Sequence, residues 1–128
     1  MDKIRSKETI LGLKPQNLAD LAAKSAGNKK ADNIIIFDLT ELSPITDYFV
    51  ICSGESDLHV RAIANQIMAD LQAHGEAPWH VEGYSHAHWI LLDYVDVVVH
   101  VFSQKVRDYY ALERLWGDAP TQTIPVEE

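Results

Sequence analysis

Two histidines and a nearby carboxylate are the first residues of the chain that could bind a metal. His86 and His88 are separated by one residue, and Glu82 precedes them. Alternate residues of a strand face the same side, so two imidazoles could reach one ion. No cysteine lies near them in the sequence, and a further firm ligand is lacking. We therefore interpret them as solvent-exposed loop histidines and predict that the protein holds no metal and no cofactor.

The segment Ile51–Ser56 runs from a predicted strand into a predicted helix, as phosphate-binding loops do. A P-loop needs more glycine and a Lys-Ser or Lys-Thr pair at the helix start, and this segment has neither. A nucleotidyltransferase needs two carboxylates at i and i+2 of the next strand to hold divalent metal. That strand offers Glu82 alone, while Asp93 and Asp96 flank a turn. A metal-dependent nucleotidyltransferase or hydrolase is the alternative hypothesis, with its metal at Glu82, Asp93 or Asp96.

Cys52 is the single cysteine of the chain and lies inside an apolar predicted strand. No histidine is positioned in the sequence to activate it, so we expect a small buried hydrophobic residue and no nucleophile. One cysteine cannot form an internal disulfide, which is typical of a reducing compartment. Met1–Glu8 lacks the apolar core of a secretory signal, and no apolar run is long enough to span a bilayer. We predict a cytoplasmic protein that is not an enzyme.

The chain of 128 residues has the length of one domain. Apolar spacing and turn residues predict three helices and five strands in the order α-β-β-α-β-β-β-α. This order favours an α/β (α+β) fold, with a mixed β-sheet of about five strands flanked by helices. The short connection between the first two strands favours an antiparallel pair. The predicted elements span about 15–27, 33–38, 47–53, 57–74, 79–82, 89–93, 97–102 and 105–116.

Acidic and basic residues are segregated along the chain, whose net charge is −8. Residues 1–30 hold seven of the eleven Lys and Arg residues and three acids, whereas residues 31–128 hold four bases and sixteen acids. Nucleic-acid backbones are bound chiefly by Lys and Arg, so the acidic body argues against a nucleic-acid reader. It suits a basic partner, because complementary potentials speed encounter. The plain alternative is that the charge serves solubility.

The last forty residues are rich in aromatic and charged side chains, and the tight connection Asp93–Asp96 makes a hairpin of two predicted strands. The second of these strands alternates between two largely apolar faces. One face carries Val97, Val99 and Val101, and the other carries Val98, His100 and Phe102. One face can pack on helices, so the other needs a cover or a partner. Aromatic residues and arginine among acids are typical of protein-recognition surfaces, although any single ring could equally fill a core.

Five stretches of the chain stand in a characteristic order: Ile45–Ser56, Glu82–Gly83, Trp89–Tyr94, Asp96–Phe102 and Arg107–Trp116. The first contains an Asp followed by an apolar strand that ends in Gly-x-Ser. Together, at these separations, the stretches resemble the ribosomal silencing factor family, also called Iojap-related proteins, over about residues 13–117. The resemblance implies a nucleotidyltransferase-like fold, in a family that is not known for that activity.

The resemblance also implies a function and a partner. Members of the family bind a ribosomal protein, number fourteen of the large-subunit series, on the intersubunit face. They thereby hinder association of the large and small subunits and repress translation when nutrients are scarce. The acidic body agrees with this, since ribosomal proteins are typically basic. We expect a ribosome-binding translation repressor with little direct nucleic-acid contact and no membrane contact, and a possible homodimer through the same apolar strand face.

By matching motif, the resemblance places the partner-binding surface on the hairpin and the last helix. Its expected residues are Trp89, Leu91, Asp93, Tyr94, Asp96, His100, Phe102, Arg107, Tyr110, Glu113 and Trp116. The silencing-factor domain would span residues 13–117, between a basic, flexible N-terminal segment 1–12 and a flexible C-terminal tail 118–128.

Two positions depart from the family pattern. The family commonly has Gly in the hairpin turn where this chain has Val95. A β-branched residue tolerates positive φ poorly, so we expect a different type of turn here. After Gly-x-Ser the family often has an Arg before the helical His, whereas here the Arg follows His59, at Arg61. The role of His59 is therefore open.

Overall fold

The computed structural model of the chain describes the backbone of residues 13–110 and 119–124, and the side chains of residues 13–107 and 119–124. Within these residues there are three helices and six strands. They are α1 (Pro15–Asn28), β1 (Asp32–Asp38), β2 (Tyr48–Gly54), α2 (Asp57–Gln72), β3 (His80–Glu82), β4 (Trp89–Asp93), β5 (Val97–Ser103), α3 (Gln104–Tyr110) and β6 (Thr121–Ile124). None of the described helices is long and apolar enough to cross a membrane.

The two long helices begin where their sequences predict. Pro15 opens α1, where its missing N–H leaves no hydrogen bond unmade. Ser56 caps α2, because its Oγ accepts a hydrogen bond from the His59 backbone N–H at 3.1 Å. The buried stripe of α2 consists of Val60, Ile63, Ala64, Ile67 and Leu71. Capping and helical spacing thus set both the position and the inward face of these helices.

Six strands form one mixed sheet in the order β3-β4-β5-β2-β1-β6. The central strands β5 and β2 are parallel, with Tyr48 opposite Val97, and the other neighbouring pairs are antiparallel. The predicted antiparallel pair of β1 and β2 is confirmed. A parallel pair needs a long crossover, and α2, β3 and β4 supply it. The predicted mixed sheet flanked by helices is therefore confirmed.

The two faces of the sheet have separate cores. The helices α1 and α2 cover one face, where Val97, Val99 and Val101 of β5 join the main hydrophobic cluster. A smaller cluster on the other face contains Phe102, with Val106 of α3 packed against it. The alternation predicted for β5 is therefore confirmed, and both of its faces are covered along most of the strand.

The predicted flexible tail from residue 118 is corrected at Thr121–Ile124, which form β6. This strand pairs antiparallel with β1, placing Thr121 opposite Phe37 and Ile124 opposite Ile34. Three of its four residues are exposed, so backbone hydrogen bonds hold the strand and its sequence needs no apolar alternation. The sheet thus has six strands where five are predicted. Residues 1–12, 111–118 and 125–128, with the predicted continuation of the last helix, lie outside the described residues.

The β4–β5 hairpin turns through Val95 and Asp96, and a hydrogen bond from the Tyr94 N–H to the Val97 carbonyl closes it at 2.8 Å. Val95 has a φ of 75°. The hairpin turn therefore holds this β-branched residue at positive φ. The Val95 N–H donates to Asp93 Oδ1 at 2.7 Å, and the Asp96 N–H donates to the Tyr94 carbonyl at 3.0 Å. Positive φ at a β-branched residue costs on the order of 1–3 kcal/mol, so these bonds hold the turn against strain.

Comparing the stability of glycine and alanine variants at position 95 separates the cost of backbone strain from the loss of the valine side-chain contacts, because both variants lose those contacts. We expect Val95→Gly to be more stable than Val95→Ala by about 1 kcal/mol, because only glycine relieves the positive φ. At Val81, a partly exposed strand position without positive φ, alanine should be the more stable replacement. Urea unfolding of the four variants measures both differences. A Val95→Ala protein as stable as Val95→Gly would mean that the turn is unstrained.

Candidate functional site

The hairpin face is the part of β4 and β5 that points away from α1 and α2. It consists of side chains that lie opposite each other in pairs: Trp89 and Phe102, Leu91 and His100, and Asp93 and Val98. All of them except Val98 are residues predicted for partner binding. They come together because strand residues two apart share a face and the antiparallel register sets the two rows side by side.

The hairpin face has a buried row of side chains on β5 and a half-exposed row on β4. On β5, Phe102 is fully buried and His100 is 5% exposed. On β4, the side chains of Trp89, Leu91 and Asp93 are half-buried. A partner on this face would therefore touch the β4 side chains. The ring of Phe102, also predicted as a contact residue, lies inside the smaller hydrophobic cluster and offers little surface to a partner.

The imidazole of His100 is neutral and positions the Trp89 ring. The Trp89 indole N–H donates to His100 Nδ1 at 3.1 Å, so Nδ1 is the acceptor and Nε2 carries the proton. The Phe49 ring packs edge-on against the imidazole, with the ring centroids 4.7 Å apart. Burial lowers the pKa of His100 to about 4. The ring therefore stays uncharged at neutral pH and accepts the indole hydrogen bond.

Three further residues predicted for partner binding, Tyr94, Arg107 and Asp96, are buried in the isolated chain. Tyr94 is fully buried in the main core. Arg107 is 3% exposed, and its guanidinium donates to Ser53 Oγ at 2.9 Å and to the Asn33 carbonyl. Asp96 is 7% exposed. Burial leaves these side chains almost no surface for a partner, so they support the hairpin and α3 from within.

Arg107 ties α3 to the sheet at an irregularity of β1. The pairing of β1 with β2 shifts register between Asp32 and Ile35, and Asn33 there has a φ of 49°. The Asn33 carbonyl at this bulge accepts the Arg107 hydrogen bond. Asparagine tolerates positive φ better than most residues, which suits it to this bulge. The side chain of Tyr110 and the residues Glu113 and Trp116 lie outside the described residues.

His59, whose role the sequence leaves open, and Arg61 both hold loops in place. His59 Nδ1 accepts the Glu55 N–H at 3.0 Å, and Nε2 contacts the Lys29 carbonyl at 2.7 Å. Arg61 donates to the Tyr84 carbonyl at 3.1 Å and also to the carbonyl of Ser85. The start of α2 is thereby fastened to the end of α1 and to the β3–β4 loop.

The residues considered for chemistry do not form a reactive centre in the described structure. His86 and His88 are exposed, with ring centroids 6.3 Å apart. Among residues 13–107 and 119–124, no three His, Cys, Asp or Glu side chains form a group that could hold a metal ion. Cys52 is fully buried, and burial raises the pKa of its thiol to about 12. The thiolate needed for nucleophilic attack is therefore disfavoured at neutral pH.

The buried, neutral His100 predicts that the fold loses stability in mild acid. The pKa is about 4 in the folded protein and about 6.5 in the unfolded chain, so the unfolded state binds more protons between these values. We expect the free energy of unfolding to fall by about 2 kcal/mol between pH 7 and pH 4.5, as measured by urea unfolding. His100→Gln, which does not titrate, should lack this part of the decrease. The same pH dependence in both proteins would contradict a buried neutral imidazole.

Comparison with known proteins adds relatives that share most of this chain. The family model described as "Ribosomal silencing factor during starvation" matches residues 13–128. The chain is 44% identical over 106 residues to ribosomal silencing factor RsfS of Halalkalibacterium halodurans, covering 83% of this chain and 91% of that protein. It is 27% identical over 100 residues to "Mitochondrial assembly of ribosomal large subunit protein 1" of Mus musculus, covering 76% of this chain and 44% of that protein.

A solved structure shares the fold as well. The crystal structure of a Chromobacterium violaceum protein has a TM-score of 0.80 and 31% sequence identity, covering 91% of this chain and 98% of that chain. The family match extends through β6 and beyond the expected domain end at residue 117. On these matches, together with the order of its motifs, the chain belongs to the ribosomal silencing factor family.

Proposed function

We propose that this protein binds the large ribosomal subunit through the hairpin face and prevents the small subunit from joining, which represses translation in the cytoplasm. Its contact is the large-subunit ribosomal protein number fourteen, at the intersubunit face. Family membership supports the ribosomal role, and the name of the mouse relative refers to the ribosomal large subunit. The protein acts as a binding module without turnover.

The half-exposed apolar side chains of β4 are the observation that supports docking at this face. Trp89 and Leu91 stand two residues apart on this strand. Exposed polar side chains of β3 border them, since Glu82 lies opposite Leu91 and His80 opposite Asp93. An apolar centre with a tryptophan and a polar rim is the usual composition of a protein interface. The Trp89 ring is already oriented by its bond to His100, so little side-chain freedom is lost on binding.

Steric exclusion accounts for silencing without any chemical step. A domain bound on the intersubunit face occupies volume that the small subunit needs, so the extent of inhibition follows the occupied fraction of large subunits. The acidic body favours a basic ribosomal protein, and its repulsion from phosphate disfavours misplaced docking on ribosomal RNA. Inhibition should therefore saturate at about one protein per large subunit, with no dependence on nucleotide.

The direct test is sucrose-gradient sedimentation of purified large and small subunits with increasing amounts of the protein. We expect the protein to sediment with the large subunit and the joined-ribosome peak to shrink as occupancy rises. Protein that stays at the top of the gradient, with joining unaffected, would contradict the proposal. Incubation with nucleotide and magnesium tests the alternative of a nucleotidyltransferase or hydrolase, which predicts turnover.

A change at Leu91 tests the placement of the docking surface. We expect Leu91→Arg to weaken binding to large subunits at least tenfold, because it puts a charge among the apolar side chains of β4 and repels a basic partner. Val81→Arg is the matched control, since Val81 lies on the neighbouring strand β3 opposite Leu92 and so points to the other face. Co-sedimentation across a titration measures both affinities. Equal binding of the two variants would contradict docking on the hairpin face.

The double change Asp93→Arg with Asp96→Arg is a poorer test of the docking surface, although the sequence analysis places both residues on that surface. Asp93 Oδ1 accepts the N–H of the strained Val95, and Asp96 is nearly buried. Replacing both would disturb the turn, so lost binding would not distinguish a missing contact from a changed hairpin. Leu91 avoids this ambiguity, because its side chain is half-exposed and carries no hydrogen bond.

A further inference from the structure

Large apolar side chains are exposed around the hairpin turn, outside the hairpin face. Ile45 is 80% exposed, Trp79 is 79% exposed and Leu42 is 47% exposed. They belong to two segments that flank the turn, residues 38–47 and residues 76–79. Both segments are bonded to it, since the Asp47 N–H donates to the Asp96 carbonyl at 2.8 Å and the Trp79 N–H donates to the Asp93 carbonyl at 2.7 Å.

The same segments are strongly acidic. We call residues 38–47, 76–79 and 93–96 the acidic end of the sheet. It contains no Lys or Arg, and its carboxylates are Asp38, Glu41, Asp47, Glu76, Asp93 and Asp96. A basic residue lies beside it, since the Leu13 N–H donates to Glu76 Oε2 at 2.9 Å and Lys14 follows Leu13. The negative potential also reaches Tyr48, whose pKa is raised by burial and further by the charges of Asp38 and Asp47.

The opposite end of the sheet has a different balance of basic and acidic residues. Residues 27–33, 54–57 and 103–107 connect the elements there. They carry Lys29, Lys30, Lys105 and Arg107 against Asp32, Glu55 and Asp57. The described molecule is therefore electrically polar along its strands, so the field of a basic partner orients it with the acidic end in front.

From the coincidence of exposed apolar side chains and uniform charge, we propose that the acidic end is a second contact surface for a basic protein segment, with Ile45, Leu42 and Trp79 as its apolar contacts. Phosphate-rich partners are repelled by these carboxylates, which leaves a protein surface with Lys and Arg around an apolar site. Asp93 belongs to both the hairpin face and the acidic end, so one partner can cover both continuously. The inference rests on the proposed binding to the large subunit, and it names an additional part of the surface used there.

Ile45 and Leu58 form a matched pair for testing this surface. Leu58 is 76% exposed, nearly as much as Ile45, but it lies at the start of α2 at the other end of the sheet. The variants are Ile45→Lys, Ile45→Ser and Leu58→Lys, each titrated against purified large subunits in sedimentation assays at low and moderate salt. Both positions are exposed, so the fold should be retained, and circular dichroism with thermal unfolding checks that it is.

We expect Ile45→Ser to weaken binding several-fold and Ile45→Lys about tenfold or more, because the lysine removes the apolar contact and repels a basic partner. Leu58→Lys should bind like the unchanged protein. If the unchanged protein binds and all three variants bind equally well, this inference is overturned while the proposed function stands. If the unchanged protein does not bind large subunits at all, both are overturned.

Discussion

The parallel pairing of β2 with β5 is the constraint on which the rest of the molecule depends. It runs over seven residue pairs, from Tyr48 and Val97 to Gly54 and Ser103, in strands that are buried along most of their length. Because parallel strands start at the same end of a sheet, the β1–β2 loop and the hairpin turn lie side by side there. At the other end, α2 and α3 leave towards opposite faces. One pairing thus sets both the acidic end and the separation of the two cores.

Much of this architecture is predictable from local pattern. The Pro15 start, the Ser56 cap and the alternation along β5 are properties of short stretches of sequence, and each is confirmed. The parallel partner of β2 and the strand β6 are different, because they depend on residues far apart in the chain. Backbone hydrogen bonds hold β6 at the edge, and those leave no trace in side-chain type. Local spacing therefore predicts the helices and strands better than it predicts which strands pair with each other.

The candidate docking surface is likewise only partly predictable from local sequence. Strand alternation and motif place Trp89, Leu91 and His100 on one face, and the register brings them together. Neither alternation nor motif tells an exposed ring from a buried one, so Tyr94 and Phe102 are indistinguishable from Trp89 before the core is seen. Arg107 is a similar case, since a guanidinium suggests a recognition residue and here bonds to a carbonyl at a bulge. Chemical type indicates what a side chain can do, and burial decides which of these it does.

The position of β6 has a consequence for the order in which the chain acquires its structure. A growing polypeptide leaves its ribosome from the N-terminus, so β1 and β2 can form a hairpin early. The outer edge of β1 stays unpaired until Thr121–Ile124 are synthesised, and the other edge of β2 stays unpaired until Val97–Ser103 are synthesised. Until then, apolar strand edges stay open to wrong pairing, and such long-range contacts form slowly. The chain therefore has to be synthesised through Ile124 before both edges of its first hairpin are paired.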